Sequence, residues 1–244
     1  MILIYRNNEF LGDELMAAQM VAILNDFGTE ACWWHDNPAF RALVDVPLWD
    51  GTEMKSWRFN YGQAPKWDGR TMLRTALDNF SADFVLPPIP ISRPTVPVRY
   101  HDDPSIIGTD VVICSEVSVH SKYREYPRMN EIKQLLNQRG VRWKDLSIDK
   151  IRGNAVLNWV KKSKLYLGLD TGMSHYVAGV VNKGLILQSG YSNYYHWGAT
   201  YPYEALFLPV ECRNCFLRTG CPNNHKCMML IEPRDVVDKI CKYL

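Results

Sequence analysis

Short, nearly continuous apolar runs alternate along this chain with segments whose apolar residues recur at helical spacing. The runs are "MILIY" (1–5), "TEACWW" (29–34), "DVVICS" (110–115), "KLYLGLD" (164–170) and "GLILQSG" (184–190). A strand that is apolar on both faces is covered on both faces, the situation of a parallel sheet flanked by helices. Between the first two runs, Leu15, Met16, Met20, Ile23, Leu24 and Phe27 follow a helical period, giving a helix from Glu14 to Phe27 that Gly28 stops. Strand–helix–strand is the unit of the α/β class, and the chain repeats it in its second half.

Further helices are expected at 38–44, 70–80, 129–140, 154–163 and 173–182, and a last one over 233–244 with Pro233 at its first position. "DFVLP" (83–87) and "VRW" (141–143) read as short strands, and the stretch from Pro47 to Asp68 reads as irregular. Six prolines from Pro87 to Pro104 make an extended connection, because proline lacks a ladder donor and disfavours helix. A domain boundary is placed there. The expected division is 1–100, 101–232 and a C-terminal helix, 233–244, that packs back on the N-terminal domain.

No run approaches the roughly 18–20 apolar residues of a membrane span. "MILIYRNNEF" is too short for a signal peptide and reads as a first strand, so a cytoplasmic protein is expected. A net charge of +2 permits an anionic ligand but lacks the strongly basic face that nucleic acid demands.

"GLDTGMSH" (168–175) places polar residues where a buried strand turns into a helix. Ligands of open α/β sheets bind at the carboxyl ends of strands, and the free N–H groups of a helix start favour phosphate. Gly172 lets a phosphate approach the backbone. Thr171, Ser174 and His175 offer donors, and Asp170 orients the site or accepts from a sugar hydroxyl. The competing reading makes Thr171 or Ser174 a helix cap and His175 a packing residue. Gly12–Asp13 falls in the first strand-to-helix turn, where Asp13 is either a cap or a general base. Lys122 and Arg124, after the strand 110–115, are cations suited to a leaving diphosphate, or a solvated basic loop.

Cys212, Cys215, Cys221 and Cys227 are spaced Cys-x2-Cys-x5-Cys-x5-Cys. Such a cluster suits tetrahedral thiolate coordination of zinc or iron, with His225 able to replace one ligand. Two disulfides, or four packed reduced thiols, are the alternatives. The other cysteines, Cys32, Cys114 and Cys241, are scattered among apolar residues, which suits a reducing compartment.

Taken together, these motifs resemble the heptosyltransferase-type glycosyltransferases, glycosyltransferase family 9. The residues carrying the resemblance are Gly12–Asp13, Arg124 to Pro127, Asp170 to His175, "YYHWG" (194–198) and the tail from "CRNC" to "CMMLIEPRDVV". The resemblance implies a GT-B fold, two Rossmann-like domains facing across a cleft with a small cysteine metal knuckle near the C-terminus. It implies inverting transfer of a sugar from a nucleotide-diphosphate sugar to an acceptor hydroxyl of a glycan, lipopolysaccharide core or protein, without a catalytic metal. Asp13 is then the base. Arg124 stands where the family has lysine, at the diphosphate. Gly12, Thr171, Gly172, Ser174 and His175 belong to donor binding, with Asp170. Cysteine clusters of this kind bind iron in protein-directed members. Tyr126 replaces the family's tryptophan, and the N-terminal half is shorter than is usual. Two other readings stand beside this one. One is a phage-type transferase acting on a hydroxymethylated DNA base, with "KSWRFNYGQAPKW" (55–67) as its stacking face. The other is a non-catalytic metal-knuckle binding protein, for which a retained base and phosphate site have no use.

Overall fold

The structure is a computed structural model that describes residues 1–6, 11–59, 72–117, 119–193, 201–217 and 221–244, with backbone alone for 119–121. It divides into two compact units, one built on Met1–Arg99 and one on Tyr100–Tyr194 and Pro202–Leu244. No helix among the described residues is long and apolar enough to cross a membrane.

The N-terminal unit runs β1 (Ile2–Tyr5), α1 (Leu11–Asp26), β2 (Ala31–Trp34), α2 (Pro38–Arg41), β3 (Lys55–Arg58) and α3 (Met72–Phe84). Its sheet has the order β2-β1-β3, all parallel. α1 ends where Gly28 turns left-handed at φ 86°. Asn25 then ties helix to strand, its side-chain amide donating to the Val21 and Ala31 carbonyls and its Oδ1 accepting from the Ala31 N–H. Leu15, Met16, Met20, Ile23 and Leu24 are buried, each contributing roughly 1.5–3 kcal/mol of transfer free energy.

Three expectations fail in this unit. α1 begins at Leu11, three residues ahead of Glu14, which places Gly12 and Asp13 inside its first turn. Asp13 is therefore not the N-cap. The expected strand 83–87 is absent, because α3 continues through Phe84 and closes with Val85 at φ 54° and the Leu86 N–H on the Ser81 carbonyl. Asp83 is held on the helix by the Trp57 indole N–H (2.7 Å), and Phe84 by stacking on Phe80. Trp57 itself belongs to a strand, β3, within the stretch read as irregular. Only Trp57 of that strand is buried, so no apolar run announces it. The proline-rich segment is extended as expected and is pinned to 43–45, Arg99 N–H bonding to the Leu43 carbonyl and Asp45 N–H to the Pro97 carbonyl.

The C-terminal unit runs β4 (Val111–Ile113), a 3-10 helix (Val119–Arg124), α4 (Met129–Gln138), β5 (Trp143–Asp145), α5 (Asn154–Lys162), β6 (Leu165–Leu169) and α6 (Gly172–Val177). It closes with β7 (Gly184–Leu187), β8 (Tyr203–Leu206), α7 (Lys226–Met229) and α8 (Pro233–Tyr243). The five strands are parallel in the order β5-β4-β6-β7-β8. β4, β6 and β7 are buried along their whole length, as continuous apolar runs require. β8 was not legible because it is a half-buried edge strand containing Glu204. α6 has six residues where ten were expected. α8 packs on α4, and its Val236, Val237 and Ile240 join the core of this unit.

Candidate functional site

Counted in order of appearance, the C-terminal strands lie 2-1-3-4-5. In such a sheet the chain leaves in opposite directions from strands 1 and 3, and a crevice opens outside their carboxyl ends. Here those strands are β4 and β6, and the residues that follow them meet. Asp170 is the first residue beyond β6. Arg124 closes the 3-10 helix that follows β4.

Arg124 Nη1 donates to the Asp170 carbonyl oxygen (3.1 Å) and stands 3.7 Å from Oδ1 of the same residue. The other carboxylate oxygen, Oδ2, accepts from Gln188 Nε2 (2.9 Å) and from Ser192 Oγ (3.0 Å). The Arg124 guanidinium lies over the Tyr191 ring, 4.2 Å from its centroid. Its Nε is buried and finds no acceptor among the described residues. The Asp170 side chain is 4% exposed and that of Arg124 24%. The carboxylate is thus a buried anchor, and the guanidinium is a partly accessible cation fixed by salt bridge and ring. A planar guanidinium held this way suits bidentate recognition of phosphate.

Gln188, Tyr191 and Ser192 were not singled out in the sequence. They occupy the loop after β7, the same carboxyl edge, and the polar "QS" that ends "GLILQSG" was the signal available.

The remaining expected residues fall in different places. Thr171 holds the N-cap position of α6 with extended backbone, yet its side chain makes no capping bond. Gly172 opens that helix, and His175 is its fourth residue, 6% exposed. Ser174 is fully buried and gives its one proton to the Leu169 carbonyl (2.6 Å), beside the Tyr166 hydroxyl (3.1 Å). Lys122 shares the 3-10 helix with Arg124 and is exposed. Tyr126 is part of the core. Its hydroxyl donates to the Ile231 carbonyl (2.7 Å), and burial pushes its pKa up to about 12. In the N-terminal unit, Asp13 stands 3.6 Å from Arg6. "YYHWG" lies outside the described residues, as do positions 60–67 of the aromatic loop.

None of the described cysteines is in a disulfide. Cys212, Cys215, Cys221 and Cys227 line one pocket with Tyr123, Tyr191 and His225. Among the described residues no three His, Cys, Asp or Glu side chains form a ligand set, so the sulfurs share a wall without converging on one point. The disulfide alternative is not what the structure contains. His225 faces away from a simple fourth-ligand role at one nitrogen, since its Nε2 is bonded to the Tyr123 carbonyl (2.6 Å).

No protein-family model and no curated protein matches this sequence. Solved structures do match its fold over the full chain. The iron-containing dodecameric glycosyltransferase TibC of enterotoxigenic E. coli superposes with a TM-score of 0.71 at 14% identity, over 99% of this chain and 75% of that one. A family 9 glycosyltransferase from Veillonella parvula gives 0.67 at 9% identity, over 99% and 96%. The E. coli heptosyltransferase WaaC with ADP gives 0.61 at 11% identity, over 100% and 99%. TibC has also been solved as a heptosyltransferase in complex with ADP-D-β-D-heptose. The chain therefore shares the α/β fold of these glycosyltransferases, with parallel sheets in both units.

Proposed function

We propose that this chain is an inverting glycosyltransferase that moves a sugar from a nucleotide-diphosphate sugar to an acceptor hydroxyl. The observation that carries the reading is the Arg124 guanidinium, anchored by Asp170 at the β4–β6 crevice, in a chain whose fold is that of nucleotide-sugar transferases. In this reading Arg124 faces the diphosphate, with Thr171, Gly172 and His175 beside it. Asp170 acts as the arginine's anchor, because Gln188 and Ser192 already fill one of its oxygens. Asp13, in the first turn of α1, takes the acceptor's proton. The acceptor oxygen attacks the anomeric carbon from the face opposite the diphosphate. The bond from that carbon to the diphosphate oxygen breaks, and its electron pair leaves with the nucleoside diphosphate, whose new charge Arg124 stabilises. The configuration inverts because one displacement occurs.

Cys212, Cys215, Cys221 and Cys227 would hold one zinc or iron ion once their sulfurs drew together: all are unbridged and all line one pocket. Such an ion supplies a structural crosslink of the 212–227 segment. Metal analysis of protein purified without added metal should find about one ion per chain, as a four-thiolate site requires. No zinc or iron in correctly folded protein would remove the metal from this reading.

The test of the transfer reading is a donor screen. ADP-, UDP-, GDP- and dTDP-sugars are each added to the protein with and without glycan and protein acceptors, and unfolding is followed thermally. A ligand present at about 100 times its Kd stabilises by roughly 2.7 kcal/mol. Arg124→Ala should weaken the binding of the active donor at least tenfold, since a hydrogen bond to a charged group contributes roughly 1.5–3 kcal/mol. If no donor stabilises the wild type, or if Arg124→Ala binds as well as wild type, the reading is wrong.

A further inference from the structure

The last carbonyls of a helix have no partner within it, and something outside must accept that role. At the end of the 3-10 helix the Tyr123 carbonyl meets the imidazole of His225, Nε2 to oxygen 2.6 Å. A carbonyl only accepts, so the ring donates from Nε2. The next residue along the backbone is Arg124. A second set of bonds reaches the backbone that carries the ring under the same guanidinium. Cys215 N–H donates to the Gly190 carbonyl (3.2 Å), and Phe216 N–H to the Tyr191 carbonyl (3.0 Å). Tyr191 is the ring beneath Arg124. Gly190 is packed so closely that a Cβ there would stand 3.2 Å from the Cys227 Cβ. The cysteine segment therefore grips both supports of Arg124: the backbone before it and the ring under it.

From these bonds we infer that His225 is a positioning residue for the diphosphate site, acting through the Tyr123 carbonyl on Arg124. This rests on the donor-site reading above and adds to it that the cysteine segment sets donor affinity. His225 has its own backbone constraint, a left-handed φ of 56°. Asparagine tolerates that conformation best among residues with a side chain, but its amide nitrogen stands near the Nδ1 position and falls short of Tyr123. Glutamine tolerates it less well, yet carries an N–H donor to about the Nε2 position. The two substitutions pull apart a role in backbone strain from a role in the hydrogen bond.

The experiment measures calorimetric binding of ADP, UDP, GDP, dTDP and inorganic diphosphate to the purified protein. Wild type, Arg124→Ala, His225→Asn and His225→Gln are compared, with metal content and thermal unfolding measured for each. His225→Asn should bind the best of these ligands roughly 3- to 30-fold more weakly than wild type, the range for residues coupled to a site without touching its ligand. His225→Gln should recover most of that loss although it is the less stable protein. If Arg124→Ala loses binding while His225→Asn keeps wild-type affinity, the inference is overturned and the donor site stands. If asparagine binds as well as or better than glutamine, His225 acts only through its backbone conformation, and the inference is likewise overturned. If wild type binds none of the five ligands, the donor site itself is wrong and the inference falls with it. Should His225→Asn fail to fold, glutamine against wild type still decides, since affinity near wild type is required.

Discussion

The two units of this protein are built on the same plan and furnished differently. Both are parallel sheets in which the first strand lies between the second and third, β2-β1-β3 in one and β5-β4-β6 extended by β7 and β8 in the other. The carboxyl edge of the C-terminal sheet holds a connected network in which the Arg124 Nε is left without an acceptor among the described residues. One carboxylate oxygen of Asp170 has two donors, and the other faces an arginine that is itself stacked on a ring. In the N-terminal unit, the first turn of α1 carries longer contacts, Asp13 with Arg6 at 3.6 Å and Glu14 with His35 at 3.9 Å. A group that must hold a charged ligand in one place is best held rigid. A group that must exchange a proton has to remain reachable.

The largest expected effect tests that contrast directly. Asp13→Asn keeps the size of the side chain and removes its charge from the first turn of α1. Loss of charge there costs about 0.3–1 kcal/mol of helix stability, so the protein should fold and bind donor nearly as well as wild type. Turnover should fall by roughly 10²–10⁴-fold, the usual contribution of a general base. A kcat within a few-fold of wild type would assign the base elsewhere and reduce Asp13 to a partner for Arg6.

The next effect concerns stability and again separates the units. Lys133 and Asp145 form an ion pair of 2.6 Å with side chains 8% and 2% exposed, and Ser115 adds a hydroxyl donor to the carboxylate. It ties α4 to the carboxyl end of β5. Lys133→Ala leaves a buried carboxylate without its cation, which costs about 3–5 kcal/mol. Replacing both partners by apolar residues, Lys133→Met with Asp145→Leu, should recover much of that loss. Chemical denaturation of the three proteins checks this. If the double variant is as unstable as the single one, the pair contributes more than relief of its own desolvation.

How much of this was legible in the sequence differs by element for a physical reason. β6 is "LYLGL", buried at every position, so its run was legible as 164–170, one residue longer at each end than the strand. β3 buries Trp57 alone and β8 is a half-buried edge, so neither produces a run. The start of α1 was misplaced because Leu11 and Gly12 carry no helix-start signal of their own. Asp170 and Arg124 were readable as chemistry, but their roles were not. Which oxygen of Asp170 is left to face Arg124 depends on Gln188 and Ser192, 18 and 22 residues downstream, and only the folded sheet brings them there. The four cysteines are legible as a group through their spacing. That the same segment bonds to Tyr123 and Tyr191 is a fact of tertiary structure with no local signature.

The smallest expected effect lies on the surface of the N-terminal unit, where charge pairs are left in water. Asp26, at the end of α1, accepts from Arg93 Nε and Nη2 (both 2.8 Å) and from the Ser92 hydroxyl (2.9 Å). These bonds, Arg93 first, hold its carboxyl below the ordinary 3.8, at about 2. A carboxylate whose pKa is lower in the folded chain than in the unfolded one stabilises the fold at pH values above the unfolded pKa. That contribution fades as pH falls toward 2, where both states are protonated. Arg93→Gln should therefore be slightly less stable than wild type at pH 7, and the gap should close between about pH 4 and pH 2. Because the pair is exposed, salt should shrink the gap as well, the screening length being about 10 Å at 0.1 M ionic strength and about 3 Å at 1 M. The pair also fastens the proline-rich segment to α1, and packing of the Arg93 stem is a second way it can stabilise. Denaturation curves for the two proteins across that pH range, at low and high salt, separate the two. A gap that closes in acid and in salt is the charge pair. A gap of constant size through both is the stem, and the low pKa of Asp26 then has no part in holding the segment down.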